Sequence, residues 1–283
     1  MNNQLHLLRE LVSLKHPVGT FSITSGKGGV GKTVLSILLS LFIAERGYKV
    51  LLVDGDVGLA NANVMLGIFP DKNLYHLAVG EAVVEEVVID TPFGFKLLPA
   101  GNGIRDLLDM SYEMRKRVAL ELVKLDGMFD YVIVDTAAGI GDEVFMFTLS
   151  CQEVVVVVTP EPTSVVDAYS LIKILYREFG KLRVNVILNK SSDTFPFDML
   201  QRMVESFLPQ VKLDLIGVVP SLDRIGFMVV SQDFSSFRLL SDKFDLIISK
   251  ILDEDRFMRV KGGIGRLALG FLRYRPKRGN YGI

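Results

Sequence analysis

The side chains with chemistry to offer crowd into one short stretch. TSGKGGVGKT, Thr24 to Thr33, places Gly26, Gly31, Lys32 and Thr33 at the spacing Gly-x4-Gly-Lys-Thr. A loop of Gly26, Gly28, Gly29, Val30 and Gly31 can turn its backbone N–H groups inward on phosphate oxygens. A helix starting at Lys32 would add the partial positive charge of its N-terminus. In such a loop the Lys32 ammonium reaches the β- and γ-phosphates of a nucleotide and the Thr33 hydroxyl sits on Mg2+. The competing explanation, a glycine-rich turn that matches by chance, fits poorly with an apolar strand before the loop and a helix after it. Lys27 is surplus to this scheme, because Lys32 already fills the one lysine position that the loop requires.

Three carboxylates follow where such a loop needs partners. Asp54 and Asp56 stand at the end of the apolar run in LLVDGDVGLANAN, and Asp135 ends the run in YVIVDTAAG. Acids at the carboxyl end of a buried strand face the crevice in which α/β proteins bind ligands, and Asp135 has the look of a Walker B acid. The alternative for each is a carboxylate that caps the following helix. His6, His16 and His76 lack metal-ligand spacing, and no Ser-His-Asp order suggests itself. The single cysteine, Cys151, excludes an internal disulfide or a CxxC site within one chain and reads as a small core residue.

The elements that must position these groups alternate. FSITS, KVLLVD, FKLLPAG, YVIVDT, EVVVVVTP, VNVILN and LIGVVP are short apolar runs that read as strands. Helical segments are predicted over 32–46, 112–125, 167–179, 196–207 and 234–253. The pattern predicts an α/β protein: a single-domain P-loop NTPase fold, with a mostly parallel twisted sheet and helices on both faces. Residues 3–15 read as an amphipathic helix with Leu5, Leu8, Leu11 and Val12 on one face, broken from the rest by His16, Pro17 and Gly19. The expected organisation is an N-terminal appendage over 1–19, an ATPase domain over 20–253 and a C-terminal tail over 254–283. No window approaches ~18 uninterrupted apolar residues, so no transmembrane helix is expected. The N-terminus does not read as a signal peptide. A reducing cytosol is the expected setting.

The tail breaks the charge balance of the chain. The net charge is -1, but beyond Asp255 there is no acidic residue, while Arg256, Arg259, Lys261, Arg266, Arg273, Arg275, Lys277 and Arg278 contribute +8. An acidic body with a basic tail points to an anionic surface as the tail's partner. On a helix over 257–274, Ile264, Leu267, Phe271 and Leu272 form an apolar face bordered by Arg259, Arg266 and Arg273. That is the pattern of a helix lying in an anionic membrane surface. Packing of the same face on the protein's own core is an alternative. A nucleic-acid tail is disfavoured, since Tyr274 and Tyr281 are its only aromatics suited to stacking on bases.

KGGVGKT with the additional Lys27 resembles the deviant Walker A motif of the MinD/ParA class of ATPases. The resemblance implies Mg2+ and ATP as cofactors and a homodimer closed around two ATP molecules, with Lys27 crossing to the partner's nucleotide. It implies that Asp56 orients the attacking water, that Asp54 belongs to the same switch, and that Asp135 holds Mg2+ through water. It also implies an adenine site at Asn189-Lys190 and Val219-Pro220, although an Asn after a strand is equally a helix cap. DGDVGLANANVMLG, LLPAGNGI, DYVIVDTAAGI and VTPEPTSVVDAYSLIKIL narrow the likeness to the FlhG family of flagellar number regulators, also called FleN or YlxH. Asp54-Gly-Asp56-Val-Gly departs from the D-x-D-P-Q switch of ParA proteins.

In that family an N-terminal D-Q-A-x-x-L-R motif meets the signal-recognition-type GTPase FlhF. Here Gln4, Leu8 and Arg9 match it, with Asn3 and Leu5 in place of Asp and Ala. A leader helix docked on its own core is the alternative. The implied setting is cytoplasmic and peripheral to the cytoplasmic face of the cell membrane, with FlhF-like GTPases and flagellar rotor (C-ring) proteins as partners. Rival readings are a MinD-like division-site ATPase, a metal-cluster carrier ATPase that holds a cluster between subunits, and a scaffold that binds nucleotide without turnover.

Overall fold

The computed structural model of the protein describes residues 16–56, 61–100, 110–221, 231, 240–253, 260–261 and 263–273. The first strand, β1 (Pro17–Ser25), leads through the glycine loop into α1 (Lys32–Glu45) and β2 (Val50–Gly55). A stretch of small elements follows: α2 (Asn61–Met65), α3 (Leu74–Val79), α4 (Val84–Val87), β3 (Ile89–Asp90) and β4 (Lys96–Pro99). Then come α5 (Tyr112–Val123), β5 (Tyr131–Ala138), α6 (Asp142–Ser150), β6 (Glu153–Val158), α7 (Pro162–Phe179) and β7 (Arg183–Asn189). The chain continues with α8 (Phe195–Phe207), β8 (Lys212–Val219), α9 (Ser241–Leu252), β9 (Val260–Lys261) and α10 (Gly263–Arg273).

The strands lie in the order β3-β4-β2-β5-β1-β6-β7-β8. All neighbours are parallel except β3, which runs antiparallel to β4. The central strands carry helices on both faces, which is why they read as continuous apolar runs. Successive side chains point to opposite sides. Val155, Val157 and Ile187 join the core under α1 and α9, while Val154, Val156 and Val158 pack with α7 and α8. Val132 and Val134 of β5 belong to a third cluster with α3, α5 and α10. This arrangement brings the carboxyl ends of β1, β2 and β5 side by side, with Asp54 opposite Asp135 and Ile23 opposite Asp135 in register.

The tail departs from expectation. The two residues of β9 pair antiparallel with the start of β1, Pro17 with Lys261 and Val18 with Val260. α10 then packs against α5, α6 and β1. Ile264, Leu267 and Phe271, expected to face a membrane, are core residues with Ala268, and the Phe271 ring meets Phe147 edge-on at 5.4 Å. Leu272 is half-buried and Arg266 is exposed; Arg273 ends the helix. Glycines permit the approach. A Cβ on Gly270 would lie 1.7 Å from the Ser150 hydroxyl, and one on Gly263 would lie 2.4 Å from the Val18 carbonyl oxygen.

Full burial of each large apolar side chain against the core is worth roughly 1.5–3 kcal/mol, which holds α10 in place. Residues 260–261 and 263–273 thus pack on the sheet and helices that carry the loop, and the first described strand begins at Pro17. The N-terminal stretch with Gln4, Leu8 and Arg9 lies outside the described residues, as do 254–259 and 274–283.

Several smaller differences have physical reasons. β1 begins four residues before the apolar run FSITS, because Pro17 and Val18 pair with β9. α7 begins at Pro162, where proline at the first turn costs no hydrogen bond. α6 was not legible at all, since Val144 to Thr148 are all buried and leave no polar face to mark a helical period.

Candidate functional site

β1 delivers the loop and α1 receives it. Gly31 caps α1 in the left-handed region at φ 92, where a side chain is strained. Gly26 has another reason to lack a side chain, since a Cβ there would lie 2.2 Å from the backbone oxygen of Asp167 in α7. Ser25 ties the loop's start by donating its hydroxyl to the Lys27 carbonyl at 2.7 Å.

Lys32 is buried at the base of the loop. Burial lowers its pKa, while the charges of Asp135 and Asp56 oppose that drop. Asp135 is fully buried within β5, three residues before its carboxyl end. Ser36, one turn into α1, donates to its Oδ1 at 3.1 Å, and its Oδ2 is buried without a hydrogen-bond partner. Burial pushes the Asp135 carboxyl up to about 6, against the pull of the neighbouring Thr33 and Ser36 hydroxyls and the Lys32 charge.

Those residues fit a divalent cation. The Thr33 hydroxyl lies within hydrogen-bonding reach of the Asp135 carboxylate, one oxygen of which has no hydrogen-bond partner, beside the phosphate-binding loop. Among the described residues no group of three or more His, Cys, Asp or Glu side chains stands together as a metal cage. Mg2+ suits such a site, because it takes one or two protein oxygens and completes its shell with water and phosphate.

Asp54 holds backbone beside this pair. It is fully buried at the end of β2 and accepts from the backbone N–H of Asp56 at 3.2 Å and of Ala62 at 3.2 Å. Its two oxygens thus tie the backbone of Asp56 and of Ala62 in α2 to the end of β2. Burial, then the Asp135 charge, push its carboxyl up to about 7. Asp56 itself is partly exposed at the rim, and its charge is felt by Lys32, Asp135 and Asp54.

The two loop lysines occupy different places. Lys27 leaves the loop sideways and donates to the Glu161 carboxylate and to the Thr163 hydroxyl, the latter at 2.9 Å. Glu161 caps the start of α7, and its hydrogen bond from Lys27 holds its carboxyl below the usual range. Sequence reasoning singled out the PEPT stretch only as a family signature and gave Glu161 and Thr163 no role. Ser36 was also missed, though its place three residues after Thr33 puts it on the same helix face.

Asn189 ends β7, opposite Val219 in β8, with partly buried Pro220 following. The structure thus brings together the two pairs expected at a base. The Asn189 amide is committed elsewhere, donating to the Val30 carbonyl of the loop at 2.7 Å. Cys151 is buried after α6, where its surroundings push the thiol up.

A P-loop between a buried lysine and a Walker B acid, on a mostly parallel sheet, defines a nucleoside-triphosphate-binding protein. A family model described as an AAA domain matches residues 18–186. The chain is 38% identical over 221 residues to the antiactivator FleN of Pseudomonas aeruginosa, covering 77% of this chain and 79% of that protein. It is 32% identical over 233 residues to the flagellum site-determining protein YlxH of Helicobacter pylori, covering 77% and 78%. The septum site-determining protein MinD of Pyrococcus horikoshii, solved with Mg-ADP, shares the fold at a TM-score of 0.66 and 23% identity, over 86% of this chain and 99% of that one. The chain belongs to this AAA-domain family and, within it, to the MinD/ParA class of P-loop ATPases, with its resemblance directed to the flagellar regulators FleN and YlxH.

Proposed function

We propose that the protein is an ATP-dependent switch: it hydrolyses ATP to ADP and phosphate as a homodimer, binds membrane in its ATP-bound form, and regulates the number or placement of flagella. The observation that carries the switch is the separation of the two lysines. Lys32 is buried inside its own loop, while Lys27 stands at the rim with a third of its side chain exposed, on Glu161 and Thr163. A second lysine aimed away from its own phosphates is of use to a neighbouring copy's nucleotide, where it would offset charge as an arginine finger does.

Within one chain the residues divide the work. Loop N–H groups and Lys32 bind phosphate, Thr33 and Asp135 would hold Mg2+, and Asp56 at the rim would orient water, on a turn fixed by Asp54. Mg2+ supplies charge neutralisation at the transferring phosphate. The protein's contribution is otherwise positioning. Membrane binding through α10 requires that helix to leave the core, because its apolar face is buried. The flagellar role rests on the likeness to FleN and YlxH, and among the described residues none argues for GTPase or rotor partners.

Molecular mass in solution and co-sedimentation with anionic liposomes, each with ADP and with ATP, test the switch. ATP should double the mass and carry the protein to the liposomes. If ATP changes neither, the switch reading fails. Asp56→Ala should lower turnover to background; unchanged turnover would point to a nucleotide-binding scaffold. In the organism that carries it, loss of the chain should alter the number or position of flagella and leave the division plane in place. The reverse result would favour a division-site role, as in the MinD relatives.

A further inference from the structure

The phosphate loop is held from outside by two adjacent residues. Asn189 donates its Nδ2 to the Val30 carbonyl at 2.7 Å, and Lys190 donates its Nζ to the Gly29 carbonyl at 3.1 Å. Two consecutive loop carbonyls are therefore engaged by two consecutive residues that lie 159 and 161 positions away in sequence. The dipeptide has a conformation suited to this. Lys190 lies at φ 57, the only non-glycine residue at positive φ among the described residues. Such a conformation is uncommon for a residue with a Cβ. The turn is fixed from the far side, where Ser191 donates its backbone N–H to the Val219 carbonyl at 3.0 Å. Asn189 also packs tightly on the loop, since a Cβ on Gly31 would lie 2.6 Å from its Nδ2.

A trans peptide points its C=O and N–H in opposite directions. Holding the Gly29 carbonyl outward aims the Val30 N–H away from Lys190, and holding the Val30 carbonyl outward aims the Gly31 N–H away from Asn189. Those N–H groups are the ones a phosphate loop turns toward its anion. We propose that Asn189 and Lys190 are positioning residues for phosphate binding: they fix the orientation of two loop peptides whether or not a base is bound. The proposal rests on the reading of the loop as a nucleotide site and deepens it. It assigns Lys190 a role of its own and gives the Asn189 Nδ2 to the loop.

A base-free ligand separates this role from base recognition. Binding of ATP and of inorganic tripolyphosphate, each with Mg2+, is measured by calorimetry on the full chain and on Asn189→Ala, Lys190→Met and Lys190→Gly. Thermal unfolding confirms that each variant is folded. Loss of one loop hydrogen bond should weaken binding about 3- to 10-fold, and by a similar factor for tripolyphosphate as for ATP. In the ligand-free chain, hydrogen exchange over residues 26–33 should speed up in all three variants. A loss confined to ATP, with tripolyphosphate affinity and exchange unchanged, would show that the pair acts on the base alone and overturns the proposal. A loss in Lys190→Met without one in Asn189→Ala would reduce Lys190 to a local charge and overturns it too. Binding by Lys190→Gly at the level of the unmodified chain would mean that only the backbone at 190 matters, with the same consequence. If the unmodified chain binds neither ligand, the nucleotide reading itself is the one that fails.

Discussion

Lys27, the lysine its own loop does not need, is tethered to Glu161 at the start of α7. If Lys27 works on a neighbouring copy's nucleotide, it must first leave this partner. An ion pair between solvent-exposed side chains is weak, a brake that ATP-driven dimerisation can overcome. Glu161→Gln should therefore dimerise at a lower ATP concentration, by up to about fivefold. Mass photometry or analytical ultracentrifugation across an ATP titration reads the shift. No shift would mean that the tether does not oppose dimerisation.

The two lysines should fail in different ways. Lys32→Ala removes a buried charge from the phosphate site and should weaken ATP binding about 10- to 150-fold, the range for a hydrogen bond to a charged group. Lys27→Ala should bind ATP with nearly unchanged affinity yet remain monomeric and fail to hydrolyse it. Calorimetry and phosphate release, run on both variants, separate the two. Equal loss of binding in both would place Lys27 in its own loop's site.

Much of this site could be read directly from the chain. The glycine spacing, Lys32, Thr33 and the acids at strand ends are local patterns, and a local pattern survives in sequence. What escaped are contacts between distant segments: Glu161 with Lys27 across 134 positions, and Asn189 with Val30 across 159. The role of Asp54 was half legible, because an acid after a strand looks the same whether it faces a ligand or holds a turn. The fate of α10 was not legible for a related reason. Periodicity reports that Ile264, Leu267 and Phe271 share a face, but lipid and protein core ask for the same face. Gly263 and Gly270 are the positions at which it touches Val18 and Ser150.

The buried acids make stability depend on pH. Asp54 is pushed up to about 7 and Asp135 to about 6, both from an ordinary value of 3.8. Between about pH 4 and 7 the folded chain keeps protons that the unfolded chain has lost. Unfolding then releases protons, so stability falls as pH rises through that window. The nucleotide-free protein should lose a few degrees of unfolding temperature between about pH 5 and pH 7.5. Asp135→Asn should flatten part of that slope. Mg2+ with nucleotide should also flatten it, because a nearby cation favours the ionised Asp135. An unfolding temperature that rises across the same window would contradict the assigned direction.

α10 offers the sharpest test of the membrane reading. At Gly270 there is no room for a side chain beside Ser150, so Gly270→Leu cannot keep the helix docked as it is. Overpacking of this kind costs about 1–3 kcal/mol. The global fold should survive while α10 detaches and presents Ile264, Leu267 and Phe271. Gly270→Leu should then sediment with anionic liposomes in ADP as well as ATP, where the unmodified chain is expected to require ATP. Adding Arg266→Glu, a change at an exposed position, should weaken that sedimentation by about 2 kcal/mol as one basic residue is exchanged for an acid. If Gly270→Leu is folded, as its circular dichroism would report, and still ignores liposomes, α10 is a structural helix of the domain and membrane binding must be sought elsewhere in the chain.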